Sequence, residues 1–272
     1  MRGYTPDGTE YQEREPRHAG KKGVLLQRTK TIKAGDTLEA EIFPVIDWEH
    51  TKGRPVRKTT EQMAATNTRN ARKKLARLIN SNFGAGDLLC HLTMSELCTE
   101  EDMRRIVKNY MARLRTAYRR RGSELKYVYV IEETGAEDKK RYHLHMVLNG
   151  GVMSRDEVEE KWGHGLARVD RAQTQDKALT GFAMYITQRK STQEKLLKRR
   201  WACSKDLKQP QITVSSHRFS RRGAEKLAKA VADDARRVFE RQYPGYRLVE
   251  YSVRYSDFLP GVYIHAHMRR IN

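Results

Sequence analysis

Two histidines separated by a single residue carry the clearest chemistry in this sequence. His143 and His145 lie within an apolar-rich segment, residues 142–148. Residues i and i+2 of a strand point to the same face, so a strand here presents both imidazoles side by side. Two neighbouring imidazoles form half of a divalent-metal site. The competing interpretation is that both histidines simply occupy the solvent face of an amphipathic strand.

Two glutamates precede these histidines and offer the oxygen ligand that such a half-site needs. Glu132 and Glu133 end the segment YVYVIEE, residues 127–133, which we expect to pair with the histidine strand as a hairpin. A carboxylate can then lie beside the imidazoles. A His-His-Glu set of nitrogen and oxygen donors suits Mn²⁺ or Mg²⁺ completed by water and phosphate oxygens.

The same histidine spacing recurs near the C-terminus, so the spacing alone is not specific. His265 and His267 repeat the pattern, but the acid nearest to them in sequence is Asp257, across a predicted Pro-Gly turn. We therefore expect this second pair to be a surface feature.

A tyrosine follows the first pair after about forty residues. On a helix, Tyr185 shares its face with Gln188 and Arg189, at i+3 and i+4. A phenol beside a cation and a bound metal can act as a covalent nucleophile, because both charges stabilise the phenolate. The alternative is a tyrosine at the edge of the core with its hydroxyl in water. The chain has 13 tyrosines, so position alone does not decide.

Basic charge dominates the composition and points to a polyanionic partner. The formal net charge of the 272-residue chain is +20. It concentrates in residues 52–77, 104–121 and 189–222. The third cluster surrounds Trp201, and phosphate contacts beside an aromatic ring are what a single-strand groove requires. Trp201 is equally well interpreted as a core anchor. The candidate DNA contacts are Lys198, Arg199, Arg200, Trp201 and Lys205.

The elements that must position these residues alternate between short strands and helices without a regular βαβ order. The predicted strands cover residues 31–46 (as a hairpin), 88–94, 127–131, 142–148, 166–169, 211–215, 246–255 and 262–268. The predicted helices begin near residue 59 and also cover 99–121, 154–162, 176–190 and 220–243. We expect an α+β fold, with a central antiparallel sheet flanked by helices. Residues 1–22 are expected to be a flexible polar tail, and 23–272 a single domain.

The compartment is predicted from what the sequence lacks. No stretch approaches the roughly 20 apolar residues of a membrane span, and the first 22 residues contain no apolar signal segment. Three cysteines without a C-x-x-C motif fit a reducing compartment. We therefore expect a cytoplasmic protein with no membrane partner.

Taken in order, the motifs resemble the HUH endonucleases that initiate rolling-circle replication. They are most similar to the replication-associated proteins of small phages and bacterial plasmids, including the filamentous-phage replication protein group. The stretches that carry the resemblance are residues 82–83, 87–93, 127–133 (YVYVIEE), 142–151 (YHLHMVLNGG), 162–165 (WGHG), 181–190 (GFAMYITQRK) and 198–210 (KRRWACSKDLKQP). The resemblance implies a ferredoxin- or RRM-like sheet as the catalytic palm.

The resemblance also implies roles for individual residues. His143 and His145 would bind the metal, with Glu132 as third ligand and Glu133 as its alternative. Tyr185 would attack a phosphate of single-stranded origin DNA, leaving a 5′-phosphotyrosine link and a free 3′-hydroxyl that primes synthesis. The metal would neutralise charge that develops on the phosphate.

One departure from the family pattern concerns the basic residue that assists the tyrosine. The family usually carries Lys three residues after the tyrosine, where this chain has Gln188. Arg189 or Lys190 is then expected to supply the positive charge. The chain also contains no G-x-x-x-x-G-K-[ST] motif, so we infer a host helicase and a DNA polymerase as partners.

Three other classes of protein compete with this interpretation. A single-tyrosine HUH transposase shares the motif order, and a non-catalytic nucleic-acid-binding module needs only charge and aromatic residues. A two-histidine phosphoesterase requires Ser or Thr where this chain has His145 and His267, so the necessary hydroxyls are missing.

Overall fold

The chain divides into two compact units. The computed structural model describes residues 2–4, 10–12, 24–47, 60–134, 141–187, 201–255 and 261–271. One unit comprises Met1–Lys74 with Pro210–Asn272, and the other comprises Leu75–Gln209. The α+β class with antiparallel sheets and flanking helices is confirmed, with the strands distributed over two five-stranded sheets. The treatment of 23–272 as one domain stays a prediction.

The elements are numbered in chain order. The strands are β1 (Arg2–Tyr4), β2 (Glu10–Gln12), β3 (Val24–Ala34), β4 (Thr37–Asp47), β5 (Leu88–Thr93), β6 (Tyr127–Thr134), β7 (Arg141–Leu148), β8 (Ala167–Arg171), β9 (Ala202–Cys203), β10 (Gln211–Ser215), β11 (Tyr246–Tyr255) and β12 (Val262–Arg270). The helices are α1 (Thr60–Asn82), α2 (Glu100–Arg120), α3 (Arg155–Glu160), α4 (Thr180–Tyr185), α5 (Arg221–Ala228) and α6 (Ala232–Gln242).

The first unit is an antiparallel sheet with the strand order β10-β3-β4-β12-β11. Alternate residues of β4, including Leu38 and Ile42, share a buried apolar cluster with Leu227 of α5 and Phe239 of α6. Because side chains alternate across a strand, the intervening residues of β4 lie on the other face of the sheet. A separate pair of short strands, β1 and β2, lies within the segment expected to be a tail.

The second unit is an antiparallel sheet with the order β8-β5-β7-β6-β9, and it is apolar on both faces. On one face, Leu92 and Leu144 pack with residues of α2 such as Tyr110 and Leu114. On the other face, Val147 belongs to a second buried cluster that includes residues of α1 and α4. Burial on both faces explains why these strands are rich in apolar residues.

Two predicted helices differ from the structure at their ends. The helix expected over 176–190 begins at Thr180 and ends at Tyr185; residues 188–190 lie outside the described part. The helix expected over 220–243 is two helices, because the chain is extended at Val231, with ψ of 159°. Ser220 caps α5 as expected, accepting a hydrogen bond from the backbone N–H of Gly223.

The loop Trp162–Gly165 holds the end of β5. The indole Nε1–H of Trp162 donates to the backbone oxygen of Thr93, 3.3 Å away. The backbone N–H of Thr93 donates to the oxygen of Leu166, and that of Ser95 to the oxygen of His164, at 2.7 and 2.9 Å. Gly165 has φ of 136°, and a Cβ there would overlap the Thr93 carbonyl oxygen. This part of the WGHG motif therefore needs a glycine for close backbone approach.

Gly165→Ala should destabilise the protein more than Gly163→Ala does. Gly163 also has positive φ, 66°, but a Cβ there meets nothing within 4 Å. We expect a cost of about 1 kcal/mol for Gly163→Ala and about 3 kcal/mol for Gly165→Ala, which adds a backbone overlap. Urea unfolding of the two variants measures the difference; equal costs would contradict the close approach of Gly165 to β5.

Candidate active site

Strands β5, β6 and β7 place five polar side chains on one face of the second unit's sheet. In the antiparallel register His91 lies opposite His145, and Thr93 and Glu132 both lie opposite His143. Directly opposed residues of neighbouring strands share a face, so all five project to the same side. This is the face that also carries Val147 and the cluster with α1 and α4.

Glu132 and His145 form the shortest polar contact in this group. The Nε2 atom of His145 lies 2.9 Å from Oε2 of Glu132. His145 is 5% exposed, whereas the Glu132 side chain keeps 34% of its exposure. A buried imidazole thus meets a carboxylate that still reaches solvent, which is the arrangement expected at the rim of an open site.

The remaining nitrogens of the two β7 histidines contact side chains of the strands on either side. Nδ1 of His145 lies 3.0 Å from Nδ1 of His91, and Nδ1 of His143 lies 3.0 Å from Oγ1 of Thr93. Nε2 of His143 lies 3.4 Å from Oγ1 of Thr134. Each imidazole is therefore held at both of its ring nitrogens.

The alternative acid, Glu133, belongs to the other face of the sheet. It lies opposite Tyr142 in the register. Burial, followed by the nearby Glu133 carboxylate, raises the pKa of Tyr142 to about 12. Because successive residues of a strand point to opposite faces, a register that puts Glu132 beside His145 excludes Glu133 from that position.

Helix α4 brings Tyr185 to the histidines. The ring centroid of Tyr185 lies 5.7 Å from that of His145 and 5.9 Å from that of His91. Tyr185 is 57% exposed, although Ala183 and Ile186 beside it are buried in the cluster with α1. The phenol is thus fixed by its helix and is still open to solvent.

The buried side chain of Asn80, on α1, anchors the start of α4. Its Oδ1 accepts a hydrogen bond from the backbone N–H of Leu179 at 2.9 Å. Its Nδ2 donates to Oγ1 of Thr180 at 2.8 Å. A buried amide with both ends satisfied fixes the position of a short helix that carries the tyrosine.

Two of the histidines are biased toward the neutral form. Burial, followed by the neighbouring His145, lowers the pKa of His91 below its usual value. The same two causes lower the pKa of His143. Neutral imidazole is the form that ligates metals.

The donor set of His143, His145 and Glu132 fits a transition-type divalent ion in chemistry. Two ligands about 2.1 Å from one metal at a right angle lie about 3 Å apart, which matches the spacing of His145 and Glu132. His143 Nε2 contacts Thr134 instead, so an ion held by all three would replace that contact. Imidazole nitrogens favour Mn²⁺ over Mg²⁺.

The second histidine pair is not the surface feature that was expected. His267 is 5% exposed, and Glu39 and Glu41 of β4 lie opposite His267 and His265 in the register. Nε2 of His265 lies 3.3 Å from Oε2 of Glu39. The expectation was wrong because these acids are more than 200 residues away in sequence and only the β4–β12 pairing brings them close.

Among the described residues, three potential metal-ligand atoms lie within 4.8 Å of one another at Glu39, Glu41 and His265. Glu41 also lies 3.9 Å from the ammonium of Lys30 and 3.7 Å from that of Lys73. Two lysines balance the two carboxylates, so the charge that would attract a cation is already compensated. We interpret this group as an ion-pair network.

Several predicted residues lie outside the described part of the chain: Gln188, Arg189, Lys190, Lys198, Arg199 and Arg200. Trp201 is partly buried against the apolar cluster that contains α4, and Lys205 is exposed. The alternative interpretation of Trp201, a residue at the edge of the core, thus matches its packing.

Sequence reasoning missed three residues of this face: His91, Thr93 and Arg168. Residues 88–94 were interpreted only as a buried apolar strand. The signal was present, because His91 and Thr93 alternate with apolar residues at the same spacing as the β7 pair. Arg168, on β8, lies opposite His91 in the register and forms an ion pair with Asp170 at 2.9 Å.

Comparisons with known proteins give one match. Within the described residues, no helix combines the length and apolar composition that crossing a membrane would need. Neither the curated proteins nor the solved structures contain a match to this chain. Residues 87–190, which include β5 to α4 and hence all of the side chains described above on the histidine face, match the model of the replication-associated protein family ORF2, and this supports a phage or plasmid replication protein.

Proposed function

We propose that this protein initiates rolling-circle replication as an HUH endonuclease. It nicks single-stranded origin DNA with Tyr185 as nucleophile and with a divalent ion, Mn²⁺ or Mg²⁺, held by His143, His145 and Glu132. The observation that carries the proposal is the position of the exposed Tyr185 ring, 5.7 Å from His145, whose Nε2 meets Glu132 at 2.9 Å. A nucleophile and a metal-ligand pair are adjacent on one face.

The proposed reaction exchanges one phosphate ester for another. The Tyr185 phenol oxygen bonds to phosphorus as the bond to the 3′ oxygen breaks, the phenolic proton passes to solvent, and the departing oxygen becomes a 3′-hydroxyl. A bound divalent ion supplies charge neutralisation on the non-bridging phosphate oxygens. The helix that carries Tyr185 is held by Asn80, so the phenol is oriented before DNA binds.

Positive charge near this face fits a phosphate substrate. Arg168 lies on the neighbouring strand, and its side chain is 74% exposed. Arg189 and Lys190 follow Tyr185 directly and remain the proposed basic assistants. Lys198, Arg199, Arg200, Trp201 and Lys205 are proposed to hold the single strand, and a host helicase and DNA polymerase are the proposed partners in a bacterial cytoplasm.

An adduct assay tests the proposal directly. The full chain is incubated with Mn²⁺ and with single-stranded oligonucleotides that tile the replicon encoding it, and covalent complexes are resolved on SDS gels. We expect an adduct that EDTA prevents, and mass spectrometry of its peptides should locate the DNA on Tyr185. Tight, salt-sensitive binding that EDTA leaves unchanged, with no adduct, would instead establish a non-catalytic nucleic-acid-binding module.

The products distinguish a replication initiator from a single-tyrosine transposase. A replication initiator leaves a 3′-hydroxyl that a polymerase extends while the 5′ end stays on the protein. A transposase acts at both ends of an element and joins them. The family match at residues 87–190 favours replication.

A further inference from the structure

We infer that His91 and Thr93 are positioning residues that hold the two β7 imidazoles by their Nδ1 atoms, so that both Nε2 atoms are available to the metal. The inference rests on the proposed metal site of His143, His145 and Glu132. It assigns a task to β5 that neither its apolar composition nor the family match supplies.

The contacts are matched in both chemistry and register. His91 lies opposite His145, and Thr93 lies opposite His143, on the same strand pair. In each case the donor–acceptor distance to Nδ1 is 3.0 Å. The two contacts are therefore repeats of one arrangement, two residues apart along β5.

The opposite side of the imidazoles faces β6. Nε2 of His145 contacts the Glu132 carboxylate, and Nε2 of His143 contacts the hydroxyl of Thr134. Strand β5 thus contacts one nitrogen of each ring, and β6 contacts the other. A metal placed beside Glu132 meets the Nε2 side.

Tautomer chemistry explains why the Nδ1 contacts matter. An imidazole that gives its Nε2 lone pair to a metal carries its proton on Nδ1. That Nδ1–H can donate to Thr93 Oγ1 from His143, and to Nδ1 of His91 from His145, which puts the proton of His91 on its own Nε2. Partners of this kind fix ring orientation and the tautomer of metal-binding histidines.

The backbone of Thr93 is itself held firmly. Its N–H donates to Leu166 and its oxygen accepts from the Trp162 indole. His91 has a second neighbour, since its ring centroid lies 5.9 Å from that of Tyr185. A change at His91 therefore reaches both the metal ligand and the nucleophile, whereas a change at Thr93 reaches only the ligand.

The test measures Mn²⁺ affinity of the full chain by electron paramagnetic resonance, without DNA. Thr93→Val removes the hydroxyl at constant shape, and Thr93→Ser retains it. Thr134→Val is the matched control, because it removes a hydroxyl from the Nε2 side of the same imidazole. We expect Thr93→Val to weaken Mn²⁺ binding about tenfold, and both Thr93→Ser and Thr134→Val to stay within about twofold of the unmodified chain.

A parallel pair of variants tests His91. Asn places its Oδ1 close to the position of the histidine Nδ1, so His91→Asn retains an acceptor that His91→Leu lacks. We expect His91→Leu to lose about tenfold in Mn²⁺ affinity and His91→Asn to recover most of it. Circular dichroism confirms that each variant is folded, and if His91→Leu does not fold, the Thr93 series decides.

The outcomes separate this inference from the proposed function. If His145→Ala abolishes Mn²⁺ binding while Thr93→Val and His91→Leu bind as the unmodified chain does, the metal site stands and the positioning role is overturned. If His145→Ala itself binds Mn²⁺ normally, the proposed metal site fails. A loss in Thr93→Val that Thr93→Ser does not restore would also overturn the role of the hydroxyl.

Discussion

Tyr185→Phe should abolish the covalent protein–DNA adduct while leaving DNA binding intact. The substitution removes only the phenolic oxygen, which is the atom that would bond to phosphorus. The ring stays, so its packing beside His145 and His91, at 5.7 and 5.9 Å, is preserved. SDS-gel analysis of the adduct and fluorescence anisotropy of a labelled single strand measure the two properties separately. We expect no detectable adduct and an unchanged dissociation constant within about twofold.

Tyr255→Phe is the matched control for this experiment. Tyr255 is 64% exposed, comparable with Tyr185, but it belongs to the first unit of the chain. It should form adduct at the rate of the unmodified protein. An adduct that persists in Tyr185→Phe and disappears in Tyr255→Phe would assign the nucleophile to the wrong tyrosine.

Removing a metal ligand should have the second largest effect. His143→Ala and His145→Ala each delete a nitrogen donor, and a divalent ion contributes several kcal/mol to stabilising the charge of the transition state. A loss of about 4 kcal/mol corresponds to about a thousandfold in rate. We therefore expect nicking to fall by about three orders of magnitude in either variant, as measured by single-turnover cleavage in excess Mn²⁺.

The second histidine pair supplies the control for this prediction. His265→Ala and His267→Ala remove the same chemical group from the first unit of the chain, which does not contain Tyr185. We expect both to nick at rates close to that of the unmodified protein once folding is checked, since His267 is buried. Equal losses in the two pairs would mean that the catalytic pair has been chosen wrongly.

Local alternation was sufficient to identify the central histidines. His143 and His145 fall on one face because a strand has a period of two, and that period is a property of the backbone alone. The hairpin that brings Glu132 near them is also local, since β6 and β7 are neighbours in the chain. These residues, the α+β class and the candidate tyrosine therefore followed from the sequence.

Which of two adjacent acids faces the histidines depended on register. Glu132 and Glu133 are equivalent in sequence, and a shift of one residue would exchange their faces. The β6–β7 pairing places Glu132 opposite His143 and Glu133 opposite Tyr142. Composition carries no information on this choice, because it depends on how the whole hairpin aligns.

The sequence by itself determined which residues have the right chemistry and which of them share a strand face: the two imidazoles of β7, the acids before them and a tyrosine beyond. Only the tertiary structure decided which other strands lie beside those residues. It brought His91 and Thr93 to the β7 histidines from 50 or more residues away, and Glu39 and Glu41 to the second pair from more than 200. The reason is physical. Alternation is a property of the local backbone, whereas strand order and register are set by non-local pairing and by the burial of both faces of the sheet.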